Sequence, residues 1–242
     1  MRTGFVVCAA VAVIAAAGGA AVDGRGRQDD RGEGRPANPP EAVTVKPGDL
    51  LYADFENSSD GKPVSARGGA VNLWTYQEQP TRPSIFKGPS LVRTSKTDNN
   101  HAAAFEYEFV IPNEWQGVTM EVQGQAGTPG ALPQDDVTGY KDLRVQAYAT
   151  GTSYMRVEIM SNGERINVHS GYPMTTFKLK DGFNAYKVPL KGFTQPAWVT
   201  DSRVDPKEVL KHLTSITLSV YCEQTCRPDK GMVIVDNLVF EK

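Results

Sequence analysis

The C-terminal stretch "GMVIVDNLVFEK" holds the residue whose chemistry is hardest to place. Read as a strand, its side chains alternate, so Ile234, Asp236, Leu238 and Phe240 share one face and Val233, Val235, Asn237 and Val239 the other. Asp236 then stands in line with three apolar neighbours destined for a core. A carboxylate buried without a partner costs several kcal/mol, roughly, so it must be hydrogen-bonded, ion-paired or bound to a metal. Two more sets of residues could do chemistry. Cys222 and Cys226 in "YCEQTC" could close a local disulfide or contribute two ligands to zinc. Arg144, Gln146 and Tyr148, with Tyr154, Arg156 and Glu158 and then Thr217, Ser219 and Tyr221, offer rings and planar hydrogen-bonding groups at every second position. That mixture suits stacking on a sugar ring and bonding to its hydroxyls. It equally suits cross-strand pairing on a solvated face. Trp74, Trp115 and Trp198 are further stacking candidates, although large aromatics are more often buried.

Reactive motifs are missing. There is no G-x-S-x-G elbow, no G-x-x-x-x-G-K-[ST] and no H-E-x-x-H, and the three histidines are scattered. "GRGRQD" lacks the third glycine of a dinucleotide loop and follows no strand. The reading is therefore non-catalytic, with a glycan-active lyase or hydrolase kept as an alternative.

The elements that must position these residues are strands. "AAFEYEFVI", "VTMEVQG", "DLRVQAYA", "SYMRVEIM" and "SITLSVY" each alternate apolar with polar residues, with turn clusters such as "SNGE" and "KDGF" between them. This predicts an all-β, antiparallel jelly-roll sandwich with one face of every strand in the core. A single short helix is predicted in "VDPKEVLKHL", where Asp205 caps, Pro206 opens the first turn and Val209, Leu210 and Leu213 form an apolar stripe.

Ahead of the sandwich lie two segments of other character. Residues 1–21 have Arg2, an apolar run and small residues at the end, the layout of a cleaved signal peptide. Residues 22–46 mix Gly, Pro, Arg and acids with almost nothing to bury, which reads as a flexible linker to a domain over 47–242. The expected destination is the periplasm or the medium, with no membrane span. The whole chain carries a formal charge of −2 and no Lys/Arg run, which argues against nucleic acid as a partner.

The order of the segments resembles the galactose-binding-domain-like jelly rolls, which include carbohydrate-binding modules and the complex I intermediate-associated proteins. The resemblance runs from "LYADFENSSDG" through "AAFEYEFVIPNEWQGV", "DVTGYKDLRVQAYATG" and "FNAYKVPLKGF" to "HLTSITLSV" and "GMVIVDNLVF". It implies a carbohydrate partner, a poly- or oligosaccharide on a concave sheet, for which the strand positions opposite the core supply Arg144, Gln146, Tyr148, Tyr154, Arg156 and Tyr221 as ligand-binding candidates. A protein partner in the cell envelope, as for an assembly module, is the alternative. Many sugar-binding relatives tie their first strand to their last with a structural calcium, which implies Asp54, Glu56 and Asp236 as oxygen ligands here. Hydrogen bonding to Asp236 without any ion satisfies the burial argument as well.

Export makes the Cys222–Cys226 disulfide the expected state, because an oxidising compartment favours it and zinc needs further ligands that the sequence does not place nearby. Thiol titration of the denatured mature protein is expected to find no free thiol before reduction and two after it. Two free thiols before reduction would discard the disulfide.

Overall fold

The computed structural model describes residues 43–77, 85–94, 99–112, 115–128, 131–161, 171–222 and 229–242. The signal-peptide and most of the linker expectations, and Cys226, lie outside the described residues. Thirteen strands follow one another there: β1 Leu50–Ala53, β2 Ser58–Ser59, β3 Lys62–Pro63, β4 Val71–Gln77, β5 Ile85–Arg93, β6 His101–Phe109, β7 Gln116–Gln123, β8 Asp142–Ala149, β9 Tyr154–Met160, β10 Met174–Lys178, β11 Asn184–Pro189, β12 Ser215–Cys222 and β13 Asp229–Glu241. One turn of 3₁₀ helix follows β11, and the helix α1 spans Pro206–Lys211. The Asp205 carboxylate accepts the Lys207 N–H at 2.9 Å, as a cap should, and Val209 and Leu210 are buried.

Two antiparallel sheets carry the core. One runs β11-β8-β13-β6-β5, with β1 also paired to β13, and the other runs β10-β9-β12-β7-β4. Alternation sends Val118, Met120 and Val122 of β7, Ile216, Leu218 and Val220 of β12, and Met155, Val157 and Ile159 of β9 into the interior. They join Phe105, Tyr107 and Phe109 of β6, Leu143, Val145 and Ala147 of β8, and Val233 and Val235 of β13 in one continuous core. The molecule is therefore an all-β sandwich, as the alternation predicted. β4 and β5 escape that reading because each is the last strand of its sheet, and their half-exposed residues blur the period-two pattern.

β13 departs from simple alternation. Its register against β8 shifts between Asp236 and Leu238, and Asn237 adopts a left-handed backbone with φ 42°. The bulge absorbs one residue. Asp236 thus stays on the outer face with Ile234, while Leu238 and Phe240 turn into the core, where both are fully buried. The expectation of a single face holding Ile234, Asp236, Leu238 and Phe240 is corrected by that one inserted residue.

At the other end of β13, Gly231 lies opposite Tyr107. The Tyr107 hydroxyl donates to the Thr150 carbonyl at 3.1 Å, and Met232 N–H donates to Thr150 Oγ1 at 3.0 Å. A Cβ at Gly231 would collide with the Thr150 carbonyl and the Tyr107 ring. Gly231→Ala is expected to destabilise the fold by at least about 2 kcal/mol in urea unfolding. A loss within about 0.5 kcal/mol would show that this crossing is not tight.

Candidate functional site

The outer face of the β10-β9-β12-β7-β4 sheet carries three rows of side chains fixed by strand register. In the first, Met174, Glu158, Thr217, Glu121 and Asn72 lie side by side across the five strands. In the second, Thr176, Arg156, Ser219, Thr119 and Trp74 do so. The third sets Lys178 against Tyr154, and Tyr221 and Tyr76 on either side of Gly117. The register gathers these groups because each paired strand contributes the residue of the same parity.

The polar members hold one another in place. Glu121, only 4% exposed, accepts from the Trp74 indole N–H at 2.9 Å and from the Asn72 amide at 3.2 Å. Thr119 Oγ1 and Ser219 Oγ share a hydrogen bond at 2.8 Å. Arg156 Nε stands 3.1 Å from Glu158 Oε1, an ion pair by distance whose N–H is not aimed at that oxygen. Burial pushes the Glu158 carboxyl above its usual range, and the Arg156 charge and the Thr217 hydroxyl pull it partly back.

Aromatic rings fill the same face. Trp74, Tyr76 and Tyr154 are among the exposed large apolar side chains of the described residues, at 60%, 52% and 55%. Trp115, half-buried ahead of β7, meets Tyr76 edge-on at 4.4 Å and lies nearly parallel to Tyr221 at 6.4 Å. A Cβ at Gly117, between the two tyrosines, would lie at ordinary van der Waals distance from Tyr221 and Trp115. The Arg156 guanidinium lies over the Tyr221 ring at 4.2 Å. A small hollow of about 90 Å³ opens among these residues, and a larger one of about 620 Å³ adjoins Trp74, with Asn72, Glu121, Gln123, Lys62 and Pro89 in its wall.

The structure divides the sequence-predicted binding residues. Tyr154, Arg156 and Tyr221 belong to this face. Arg144, Gln146 and Tyr148 lie on β8, in the opposite sheet, and are corrected as members of one groove with them. There Arg144 is 3.1 Å from Glu241, which also meets Lys187 at 2.9 Å. Gln146, 2% exposed, accepts from the Asn237 amide at 2.9 Å, so it is an inner support rather than a surface group. Tyr148 packs with Ala102, Ala104 and Ile234. Sequence reading missed Tyr76, which stands on an unrecognised edge strand, and Glu121, which has the sequence surroundings of an ordinary solvated acid.

Asp236 is fully buried at the point where β13 loses β6 as a neighbour and gains β1. It accepts from the Asn100 amide at 2.7 Å and from its own neighbour's backbone, Asn237 N–H, at 2.8 Å. Asn100 also donates to Thr94 Oγ1 at 3.1 Å. Burial lifts the Asp236 pKa to about 7 against the pull of those two donors, and the Glu56 and Asp54 carboxylates add to the rise. Glu56 in turn accepts from His101 N–H at 3.0 Å and lies 3.2 Å from His101 Nδ1, while Asp54 accepts from the Glu56 N–H at 3.3 Å. Among the described residues no three His, Cys, Asp or Glu side chains converge as a ready metal-ligand set. The donor chemistry still suits a hard cation, because the carboxylates repel one another and an ion would relieve it.

Because the folded pKa of Asp236 is raised, the native state holds its proton more tightly than the unfolded chain does. Its contribution to stability is full below about pH 4 and is lost as pH rises through about 7. In EDTA, Tm is expected to fall between pH 5 and pH 8, and Asp236→Asn is expected to flatten that slope. The same slope in both proteins would assign the pH dependence elsewhere.

Neither a known family nor a curated protein matches the sequence. Among solved structures, the family 11 carbohydrate-binding module from Clostridium thermocellum in complex with a β-1,3-1,4-mixed-linked tetrasaccharide aligns with a TM-score of 0.51 at 12% identity, over 80% of this chain and 95% of that one. A family 30 carbohydrate-binding module aligns with a TM-score of 0.46 at 11% identity, over 80% of this chain and 88% of that one. The likeness to the first is one of fold, and the two-sheet sandwich described above is a jelly roll.

Proposed function

We propose that this is an exported, non-catalytic protein that binds a poly- or oligosaccharide on the outer face of the β10-β9-β12-β7-β4 sheet. The observation that carries the reading is the presence of Trp74, Tyr76 and Tyr154, all exposed, in register with a braced ladder of Arg, Glu, Asn, Ser and Thr. Rings of this size left in water, with Trp74 and Tyr76 held by their neighbours, are ready to cover the apolar face of a pyranose with little ordering cost. Glu121, Arg156 and Asn72 stand beside them to bond the ring hydroxyls. The jelly-roll likeness to a sugar-bound module supports a carbohydrate as the ligand class. Glu121 and Glu158, the acids on this face, are each engaged by neighbouring side chains, which suits holding a ligand in place rather than moving protons. Among the described residues no helix is long and apolar enough to cross a membrane.

Calcium belongs to the same reading as a support. Asp236, Asp54 and Glu56 would hold it, and it would neutralise their charges where β1 and β6 meet β13. At pH 8, where Asp236 is ionised, added calcium is expected to raise Tm relative to EDTA in the wild type and not in Asp236→Asn. An equal Tm with calcium and EDTA removes the ion from the account.

Affinity electrophoresis of the mature chain in gels cast with β-1,3-1,4-glucan, xylan, galactomannan or agar tests the central claim. At least one polymer is expected to retard the wild type. Trp74→Ala and Tyr76→Ala are each expected to weaken that binding about tenfold, the worth of a lost stacking contact of about 1.4 kcal/mol. Tyr148→Ala, on the opposite sheet, is expected to leave it unchanged. Retardation by none of the polymers, from a protein that melts cooperatively, would remove the carbohydrate reading, and loss in Tyr148→Ala alone would move the site to the other sheet.

A further inference from the structure

A second exposed tryptophan lies beyond the far edge of the same sheet. The segment after the 3₁₀ turn pairs with β10 through two backbone hydrogen bonds, Met174 N–H to the Thr194 carbonyl at 2.9 Å and Thr194 N–H to the Met174 carbonyl at 3.1 Å. Thr194 therefore takes the place of a sixth strand next to β10 and continues the row of Met174, Glu158, Thr217, Glu121 and Asn72. Four residues on, Trp198 is 64% exposed.

Trp198 is not a loosely held side chain. Its turn is closed by Val199 N–H on the Pro196 carbonyl at 3.1 Å, and Val199 itself is buried. The Gln195 side chain clamps the loop from both directions, donating to the Ser202 carbonyl at 2.8 Å and accepting the Val204 N–H at 2.9 Å. Arg203 donates to the Ala197 carbonyl at 3.1 Å. The benzo edge of the indole lies against Gly171, where φ is +69° and where a Cβ would meet Trp198 at 2.7 Å. Gly171 lies three residues ahead of Met174, the β10 member of the first row opposite Glu158, so this corner adjoins the binding face. An aromatic ring kept in water on a loop with this many internal ties is pre-organised for contact.

We infer that Trp198 is a distal stacking platform for the same glycan, and that the ligand is an extended chain crossing the strands from Trp74 on β4 to Trp198 beyond β10. The inference rests on the carbohydrate reading of the face between them. Five inter-strand spacings separate β4 from the Thr194 segment, roughly 24 Å, which only an oligosaccharide of several sugars can bridge. The two indoles then act as linked sites on one chain, and their joint engagement raises the affinity for long ligands above that for short ones.

The test compares the polymer that retards the wild type with a disaccharide from its own digestion, each titrated against wild type, Trp198→Ala and Trp198→Phe by calorimetry and affinity electrophoresis. Trp198→Ala is expected to weaken polymer binding about fivefold to tenfold and to leave disaccharide affinity at the Trp74 end unchanged. Trp198→Phe, which keeps a ring, is expected to recover most of the loss. Equal polymer affinity for wild type and Trp198→Ala overturns the inference while Trp74→Ala, tested in parallel, still reports on the face itself. A parallel fall in polymer and disaccharide affinity also overturns it, because it would mark a structural effect on the whole site. A wild type that binds none of the four polymers removes the face's reading and this inference with it.

Discussion

The bulge at Asn237 is the constraint on which the rest of this molecule turns. β13 is thirteen residues long and serves three neighbours, with β8 along one side and β6 and then β1 along the other. A strand of uniform period would carry Asp236 into the core or Leu238 and Phe240 out of it. One residue in the left-handed region removes that conflict by letting the two halves of β13 bury opposite parities. Asparagine suits the position twice. It tolerates the positive φ, and its side chain bonds Gln146 across the bulge. The backbone N–H at the bulge is donated to Asp236, so the distortion and the buried acid stabilise each other.

That junction leaves the charge of Asp236 opposed by its surroundings. Two donors hold it, burial opposes its charge, and Glu56 and Asp54 stand near enough to oppose it further. Such an arrangement is tolerable at a place where β6 and β1 follow one another along the same edge of β13, since the Asn100 amide comes from the chain just ahead of β6 and Asp54 and Glu56 from the chain just after β1. The cluster connects the entry and the exit of the domain through side chains, where the backbone ladder of β13 has changed partners.

Among the described residues the opposite sheet has no comparable break, and its regularity is what makes a ligand face available. Uninterrupted pairing of β7, β12 and β9 over most of their lengths puts residues of one parity into straight rows. Rings and hydroxyls that are far apart in the chain become neighbours at the spacing of the ladder. Gly117 stands between Tyr221 and Tyr76 in the third row, and the Trp115 ring lies against both of those tyrosines.

Much of this was legible in the chain. Alternation in five segments determined β6, β7, β8, β9 and β12, their inward faces and an all-β sandwich, because period two is a local property that each strand carries by itself. The Asp205 cap and the Pro206 start of α1 are likewise local, as is the need of Asp236 for partners. Partnership is not local. No spacing in the sequence says that β9 and β12 adjoin each other while β8, of the same polar pattern, lies in the other sheet, so Arg144, Gln146 and Tyr148 were indistinguishable from Tyr154, Arg156 and Tyr221. The edge strand β4, which carries both Trp74 and Tyr76, was silent because its half-exposure blurs the alternation. The identity of the partners of Asp236 was also a tertiary matter, for a single inserted residue reverses the parity of every side chain after it, and only the pairing of β13 with β8 shows where that residue is inserted.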